Sequence, residues 1–367
     1  MNRIRQNSPI SVGISGWRAA ALFAAALIVV PMTYSPAAQA QAQTQIVEQR
    51  RQAAQKVDTS AFKKSPPYTI GVSAGYLSNS WVVYTLQHIR YEASLHSEVK
   101  EVIVTDAGFK PAKQVADLED LINRKVDLII YWPVDNKSLD ATLQKAVAAG
   151  IPTVNTGGGY YASAGTVTNA YIGQWDLAEM AARQLFKEMG GKGKIFAMLP
   201  IAGHSATVDQ LAALKSVMAE FPGIELLSAE HGNWNRGRAK QITENLLQRF
   251  PKIDGVFSPS GQMSAGVVEA FEEAGRLKEA VMSPADEYNG WLKWVAKHQR
   301  GGVVTFPTKV GRDAVQLGLK MLKGEPVERG RQVPSELIAA SAIGKYVKPS
   351  QPDDSWANEL PPQFLPK

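Results

Sequence analysis

The sequence predicts an α/β fold in which parallel sheets are covered by helices on both faces, and three observations predict it. From residue 68 onward, short apolar β-rich runs alternate with amphipathic stretches of helix length, the signature of strands that return through crossover helices. Runs such as Leu128-Ile129-Ile130 are apolar at successive positions, which suits strands buried on both faces. A phrase also recurs. Lys125-Val126-Asp127-Leu128-Ile129-Ile130-Tyr131-Trp132-Pro133 leads on to Ala149-Gly150, and Lys252-Ile253-Asp254-Gly255-Val256-Phe257-Ser258-Pro259 leads on to Ala274-Gly275. In each copy an Asp precedes a strand, Pro stops pairing at its end, and a helix closes on Ala-Gly with Gly as its cap. Two copies suggest two similar lobes, although any α/β chain can yield such an echo.

The elements follow in order. Arg3, Arg5 and Arg18 precede an apolar run over 19–30, and Ala38-Gln39-Ala40 places small residues at the two cleavage positions, so residues 1–40 read as a secretory signal. The run is shorter than the roughly 20 apolar residues a spanning helix needs. Residues 41–67 lack strand signals and end at Pro66-Pro67, which predicts a mobile arm or loose helix. Strands are predicted at 69–73, 101–105, 127–132, 153–155, 194–199, 225–229, 255–258, 281–283 and 303–306. Helices are predicted at 113–124, 139–149, 177–189, 208–221, 239–250 and 263–274. The tail over 349–367 contains five prolines and predicts an extended wrap over the surface.

Composition narrows the partners. The chain carries 40 Lys+Arg against 34 Asp+Glu, a net charge of +6. Residues 1–40 hold three arginines and no acid, so their loss lowers this to +3. Residues 41–67 hold five bases (Arg50, Arg51, Lys56, Lys63, Lys64) against Glu48 and Asp58, which leaves the body near neutral. The basic surplus therefore sits in leader and arm, and nucleic acid is not the expected ligand. The chain has no cysteine, which rules out disulfides and lipid attachment through a cysteine. A soluble periplasmic monomer beginning near Gln41 is expected.

With these phrases in order, the chain over about 68–347 resembles the ribose-binding-protein-like periplasmic binding proteins of ABC transporters. Ile70-Gly71-Val72-Ser73 followed by Asn79-Ser80-Trp81 is similar to that family's first strand and Asn-Pro-aromatic loop. The two repeated phrases and Phe250-Pro251-Lys252-Ile253-Asp254 match its later strands. The resemblance implies two doubly wound parallel-sheet lobes joined by a three-crossing hinge, with crossings near Gly173, Thr305 and Pro334. On that reading, 68–172 with 306–333 form the N-terminal lobe and 173–305 with 334–348 the C-terminal lobe. Ligand would lie between them, at the carboxyl edges of the strands, and closure would be a hinge motion.

The resemblance also implies the site. Asn79 and Trp81 fall where a hydrogen-bonding residue and a stacking aromatic are expected; helix cap and core aromatic is the plainer alternative. An aromatic face suits the C–H side of a sugar, and amides suit its hydroxyls. Asn155 and Thr156 end a strand at the cleft edge, and Gly157-Gly158 replaces the Asp-Arg pair usual in the family. Gly261, between Ser260 and Gln262, replaces a carboxylate; Gln210 stands where arginine is common and Gln241 where Asn is common. These losses predict a more neutral and roomier cleft. His204, Asp209, Trp234, Asn235, Glu287 and Thr305 are further candidates near strand ends, while Asp135-Asn136 most simply cap a helix.

Catalysis has little support. His88, His96, His204, His231 and His298 show no paired metal spacing. His204-Ser205 with Asp209 has the letters of a triad but no G-x-S-x-G elbow, and Gly157-Gly158-Gly159 is not G-x-G-x-x-G. No enzyme, cofactor or metal is expected. The leading function is a receptor that delivers a carbohydrate-like solute to an inner-membrane ABC permease. A sensory component serving a kinase or chemoreceptor is the alternative, since one fold serves both. A sugar-responsive repressor would need a DNA-binding helix-turn-helix where this chain has its leader.

Overall fold

The computed structural model describes residues 36–156, 158–357 and 360–366, with backbone alone at 36–40 and 42. Most of the expected signal segment lies outside the described residues; its last positions begin helix α1 (Pro36–Ala53), which strand β1 (Lys56–Val57) follows. The first half then runs β2 (Tyr68–Ala74), α2 (Ser80–Ser94), β3 (Val99–Asp106), α3 (Pro111–Asn123), β4 (Leu128–Trp132), α4 (Asn136–Ala148), β5 (Thr153–Asn155) and β6 (Thr168–Ile172). The second runs α5 (Gln174–Glu188), β7 (Lys192–Leu199), α6 (Ser205–Met218), β8 (Gly223–His231), α7 (Arg236–Arg249), β9 (Gly255–Phe257), α8 (Gly261–Glu273), β10 (Val281–Met282) and α9 (Asn289–His298). β11 (Gly302–Val304), α10 (Val310–Leu322), β12 (Val327–Glu328), β13 (Gly330–Val333) and β14 (Leu337–Ala339) follow.

The α/β class and the parallel sheets read from the sequence are present. One sheet has six strands in the order β13-β6-β5-β4-β2-β3, the other four in the order β10-β9-β7-β8, and every pairing in both is parallel. In each lobe the first strand sits inside its sheet, with the second on one side and the third and fourth on the other. The order therefore reverses between β2 and β4, and again between β7 and β9. A crevice opens at such a switch point, at the carboxyl ends of the strands.

Burial explains why β4 is continuously apolar. Ile129 and Tyr131 pack with Leu118 and Leu121 of α3 and Leu139 and Leu143 of α4. Leu128, Ile130 and Trp132 join Val82, Ile89, Val315 and Leu319 in the cluster on the opposite face. The repeated phrase has a common local mechanism. The Asp127 carboxylate accepts the Thr69 amide at 2.8 Å, and Asp254 accepts the Lys194 amide at 2.8 Å. Each Asp thereby ties the entrance of the third strand to that of the first. Both phrases end on a glycine with positive φ, Gly150 at 73° and Gly275 at 68°. There the following amide reaches back to close the helix: Ile151 to Ala146 and Arg276 to Phe271.

Three segments pass between lobes. The chain leaves β6 at Gly173 for α5, returns over 305–309 from β11 to α10, and leaves again over 334–336 from β13 to β14. β11 and β14 pair antiparallel, and Thr305 and Glu336 extend that contact through Thr305 N–H to Glu336 O (2.9 Å) and Glu336 N–H to Thr305 Oγ1 (2.8 Å).

Some elements differ from the sequence reading. β6 is fully buried but spelled Thr-Asn-Ala-Tyr-Ile, so its polar side chains conceal it. They are satisfied internally: Thr168 donates to Glu328 O (2.6 Å) and Asn169 to Arg329 O (3.1 Å). Of the expected mobile arm or loose helix, the helix is present, and it is anchored. Ile46 packs in the cluster of α5 and α6, and β1 pairs with β12. The tail is more than a surface wrap, because Trp356 and Leu360 are buried.

Candidate functional site

A cavity with a free volume of about 50 Å³ lies where the carboxyl ends of the two sheets face each other. The loop after β2 supplies its first wall. Asn79 Oδ1 accepts the Trp81 amide at 2.9 Å and so caps α2. Its Nδ2 crosses to the other lobe and donates to Gln262 Oε1 at 3.1 Å. The Trp81 indole N–H donates to Phe306 O at 3.0 Å, and the two rings lie 4.9 Å apart. Helix cap and site residue are thus compatible roles here. Tyr76 is fixed by Trp132 Nε1, which donates to its carbonyl at 3.0 Å, and its ring stacks on Phe109 at 4.2 Å. Burial pushes the Tyr76 hydroxyl up to about 12, which keeps it a donor at neutral pH.

The second wall comes from four strand ends. His204 Nδ1 accepts the Ala206 amide at 3.1 Å, so the ring proton sits on Nε2. Burial lowers the His204 pKa, favouring the neutral ring. Trp234 packs edge-on against it with centroids 5.0 Å apart. Gln174 Nε2 donates to Gly158 O at 2.8 Å, and its Oε1 receives Gln210 Nε2 at 2.9 Å. Gln210 Oε1 is buried without a hydrogen-bond partner, an acceptor poised for a donor inside the cavity.

Gly261 has a reason in the packing. A Cβ there would lie 2.6 Å from Asp286 O and 2.7 Å from Asp286 Oδ1, and the Gly261 amide donates to that same Oδ1 at 2.8 Å. The carboxyl missing at 261 is therefore replaced by one from a neighbouring strand end. Burial, and then the Glu287 charge, pushes Asp286 well above the usual carboxylate range. It is held toward its neutral form, as a donor rather than an anion.

Of the thirteen expected site positions, Asn79, Trp81, His204, Gln210, Trp234, Ser260 and Gln262 line this cavity. Gly157 lies outside the described residues. Asn155 instead braces its own loop, with Nδ2 donating to Asn169 Oδ1 (2.8 Å) and Gly159 O (3.0 Å). Thr156 is buried without lining the cavity. Gln241 is exposed on α7, because the helix turns that side chain to solvent. Glu287 and Thr305 line a second cavity of about 400 Å³ beside the crossings, where Glu287 Oε2 accepts the Phe306 amide at 2.5 Å. Among the other candidates, Asp135 and Asn235 cap α4 and α7, and Asp209 lines a separate small cleft with Arg50 and Tyr171.

The sequence reading missed Tyr76, Gln174, Asp286, Phe306 and Trp356, all of which line the cavity. Gln174 and Phe306 adjoin the expected crossings, which was a usable signal; nothing local marks Trp356. Trp81, Trp234, Phe306 and Trp356 give the cavity an aromatic lining, without lysine or arginine. Among the described residues no group of His, Asp and Glu could hold a metal ion, and no helix is long and apolar enough to cross a membrane.

The fold and this interlobe cavity define a two-lobed solute-binding protein. Residues 70–326 match the family model described as periplasmic binding protein domain, and the chain belongs to that family. It is similar to the ribose import binding protein of Bacillus subtilis (strain 168), at 26% identity over 284 residues, 77% of this chain and 90% of the relative. A putative rhizopine-binding protein of Rhizobium meliloti is 26% identical over 257 residues, 66% of this chain and 81% of the relative. Among solved structures, a solute-binding protein of an ABC transporter from Bacillus halodurans C-125, with bound myo-inositol, superimposes with a TM-score of 0.72. It is 23% identical, and the match covers 77% of this chain and 98% of that one.

Proposed function

We propose that the chain is the solute receptor of an ABC importer, working in the periplasm after loss of its leader. It captures a compact, uncharged sugar or polyol between its lobes and delivers it to an inner-membrane permease. The observation that carries this reading is the lining of the interlobe cavity: three tryptophans (Trp81, Trp234, Trp356) and four carboxamides (Asn79, Gln174, Gln210, Gln262), with no lysine or arginine. Aromatic faces take the C–H surfaces of a ring or polyol, carboxamides pair with hydroxyls in either sense, and a cavity without cations gives an anionic solute no partner. Relatives named for ribose, rhizopine and xylitol support the class.

A melting screen of the mature chain against D-ribose, xylitol, myo-inositol, D-allose and, as a charged control, D-glucuronate tests the reading. A solute that binds only the folded state stabilises by RT ln(1 + [L]/Kd), about 2.7 kcal/mol at one hundred times Kd. An uncharged member should raise the midpoint and shorten the radius of gyration in solution scattering. Preference for glucuronate, or scattering unchanged by a stabilising solute, would overturn it. Mass spectrometry of periplasmic extract should find a chain beginning near Gln41.

A further inference from the structure

The family match ends at residue 326, yet the cavity wall is completed by Trp356, well beyond it. The tail that carries this residue is fastened first to the second lobe. Asn289, at the start of α9, is fully buried. Its Nδ2 donates to the carbonyls of Lys348 (2.9 Å), Gln351 (3.2 Å) and Pro352 (2.9 Å), and its Oδ1 accepts the Lys348 amide at 3.0 Å. The amides of Asn289 and Gly290 donate to Ser355 O and Asp353 O. Asp353 is also paired with Arg236 (2.8 Å) and Lys293 (2.9 Å). The approach is so close that a Cβ on Gly290 would lie 3.1 Å from Asp353 Cβ.

From there the tail crosses to the first lobe. Trp356 shares an isolated antiparallel bridge with Tyr288, while its indole N–H donates to Ser80 Oγ, at the first turn of α2, at 2.8 Å. Farther on, Phe364 packs against Tyr91 of α2 with centroids 5.2 Å apart. One short segment therefore holds both lobes and places an aromatic ring in the cavity between them.

We propose that the tail is a strap that holds the lobes together around the cavity, and that Trp356, carried by it, contacts the solute and limits its size. The proposal rests on the solute-receptor reading for its second half. The Trp356 N–H is already engaged by Ser80, so the ring offers the solute apolar surface and bulk rather than a hydrogen bond. Shortening it opens room in a cavity of about 50 Å³, which should admit larger glycosides and loosen small polyols.

The chain has no native cysteine, so spin labels at Lys137→Cys on α4 and Val208→Cys on α6 report the distance between lobes without background. In the solute-free full mature chain, Trp356→Ala should move the distance distribution outward, and Trp356→Phe should move it less. Asp353→Ala loosens the same strap away from the cavity and should shift it in the same direction, which decides the matter should Trp356→Ala fail to fold. Distributions unchanged in Trp356→Ala and Asp353→Ala would overturn the strap. Whichever of D-ribose, xylitol, myo-inositol or D-allose stabilises the wild type should bind Trp356→Ala at least tenfold more weakly, with methyl β-D-glucoside gaining relative to it. Equal affinities would overturn the solute contact. If no uncharged member of the melting panel, D-allose included, binds the wild type, the carbohydrate reading fails while the distance measurement still decides the strap.

Discussion

The two copies of the repeated strand-helix phrase fold alike and end differently. Behind β4 the chain reads Pro133-Val134-Asp135-Asn136, and Asp135 caps α4 by accepting the Ser138 amide at 2.8 Å. Behind β9 it reads Pro259-Ser260-Gly261-Gln262, and Pro259, Ser260 and Gln262 line the cavity. The same contrast holds one strand further on. β5 ends on the neutral Asn155, tied to Gly159 and Asn169, with Thr156 behind it; after β10 comes the buried acid pair Asp286-Glu287. The backbone repeat puts both ends at equivalent edges of their sheets, but of these four strand ends only those after β9 and β10 send residues into the cavity lining, through Pro259, Ser260, Gln262 and Asp286. The two copies share a frame, and the cavity lining draws on what they do not share.

The sharpest way to separate frame from site is a pair of tryptophans. Trp294→Ala should cost about 3–5 kcal/mol of stability, the usual loss for a core aromatic. Trp294 stacks on Trp291 at 4.9 Å and does not line the cavity, so solute affinity should hold. Trp81→Ala should do the reverse, weakening binding by about 1–3 kcal/mol with a smaller drop in melting temperature. Calorimetry on both variants checks this; a Trp81→Ala protein that melts far earlier but binds normally would make both tryptophans frame.

The acid pair after β10 adds a pH dependence of its own. Burial pushes Glu287 up to about 7 from an ordinary value near 4.5. Below the ordinary value both folded and unfolded chains hold the proton, so nothing is lost. As pH rises from about 4.5 to 7 the unfolded chain releases it first, and stability falls. Glu287→Gln should flatten that fall and stabilise the protein at pH 8 by at most about 3 kcal/mol, while leaving it near wild type at pH 4. Urea midpoints across pH would show it, and an unchanged profile would place the loss elsewhere.

Gly261→Ala should cost about 1–3 kcal/mol by overpacking against Asp286, with binding weakened at least as much as folding. Asp135→Ala, at the corresponding place in the other copy, should lose only the cap, about 1 kcal/mol, with affinity intact. Should the two variants weaken binding equally, the asymmetry between the copies is false.

How much of this was legible follows from where each residue finds its partners. β4 could be read because five successive buried residues must all be apolar. Asp127 and Asp254 could be read as a repeat because each acts within its own lobe. β6 could not, since Thr168 and Asn169 are buried through bonds to residues 328 and 329, far along the chain. Asn79 and Trp81 stood out beside a strand end, whereas Gly261 showed a missing carboxyl without showing that Asp286 had taken its place. Trp356 sits among prolines in a segment that looks like surface, and its burial depends on Asn289 and Ser80, which no local pattern connects to it.

The arm over 41–67 has a bearing on the order in which the chain folds. Lys56 hydrogen-bonds Glu328, 272 positions away, and β1 has its only described strand partner in β12, while Ile46 docks among residues of α5 and α6. Residues 46–57 thus find their main packing partners far along the chain. Contacts of such long sequence separation form slowly, so the arm should be among the last parts of the chain to dock, when β12 and α6 are already in place.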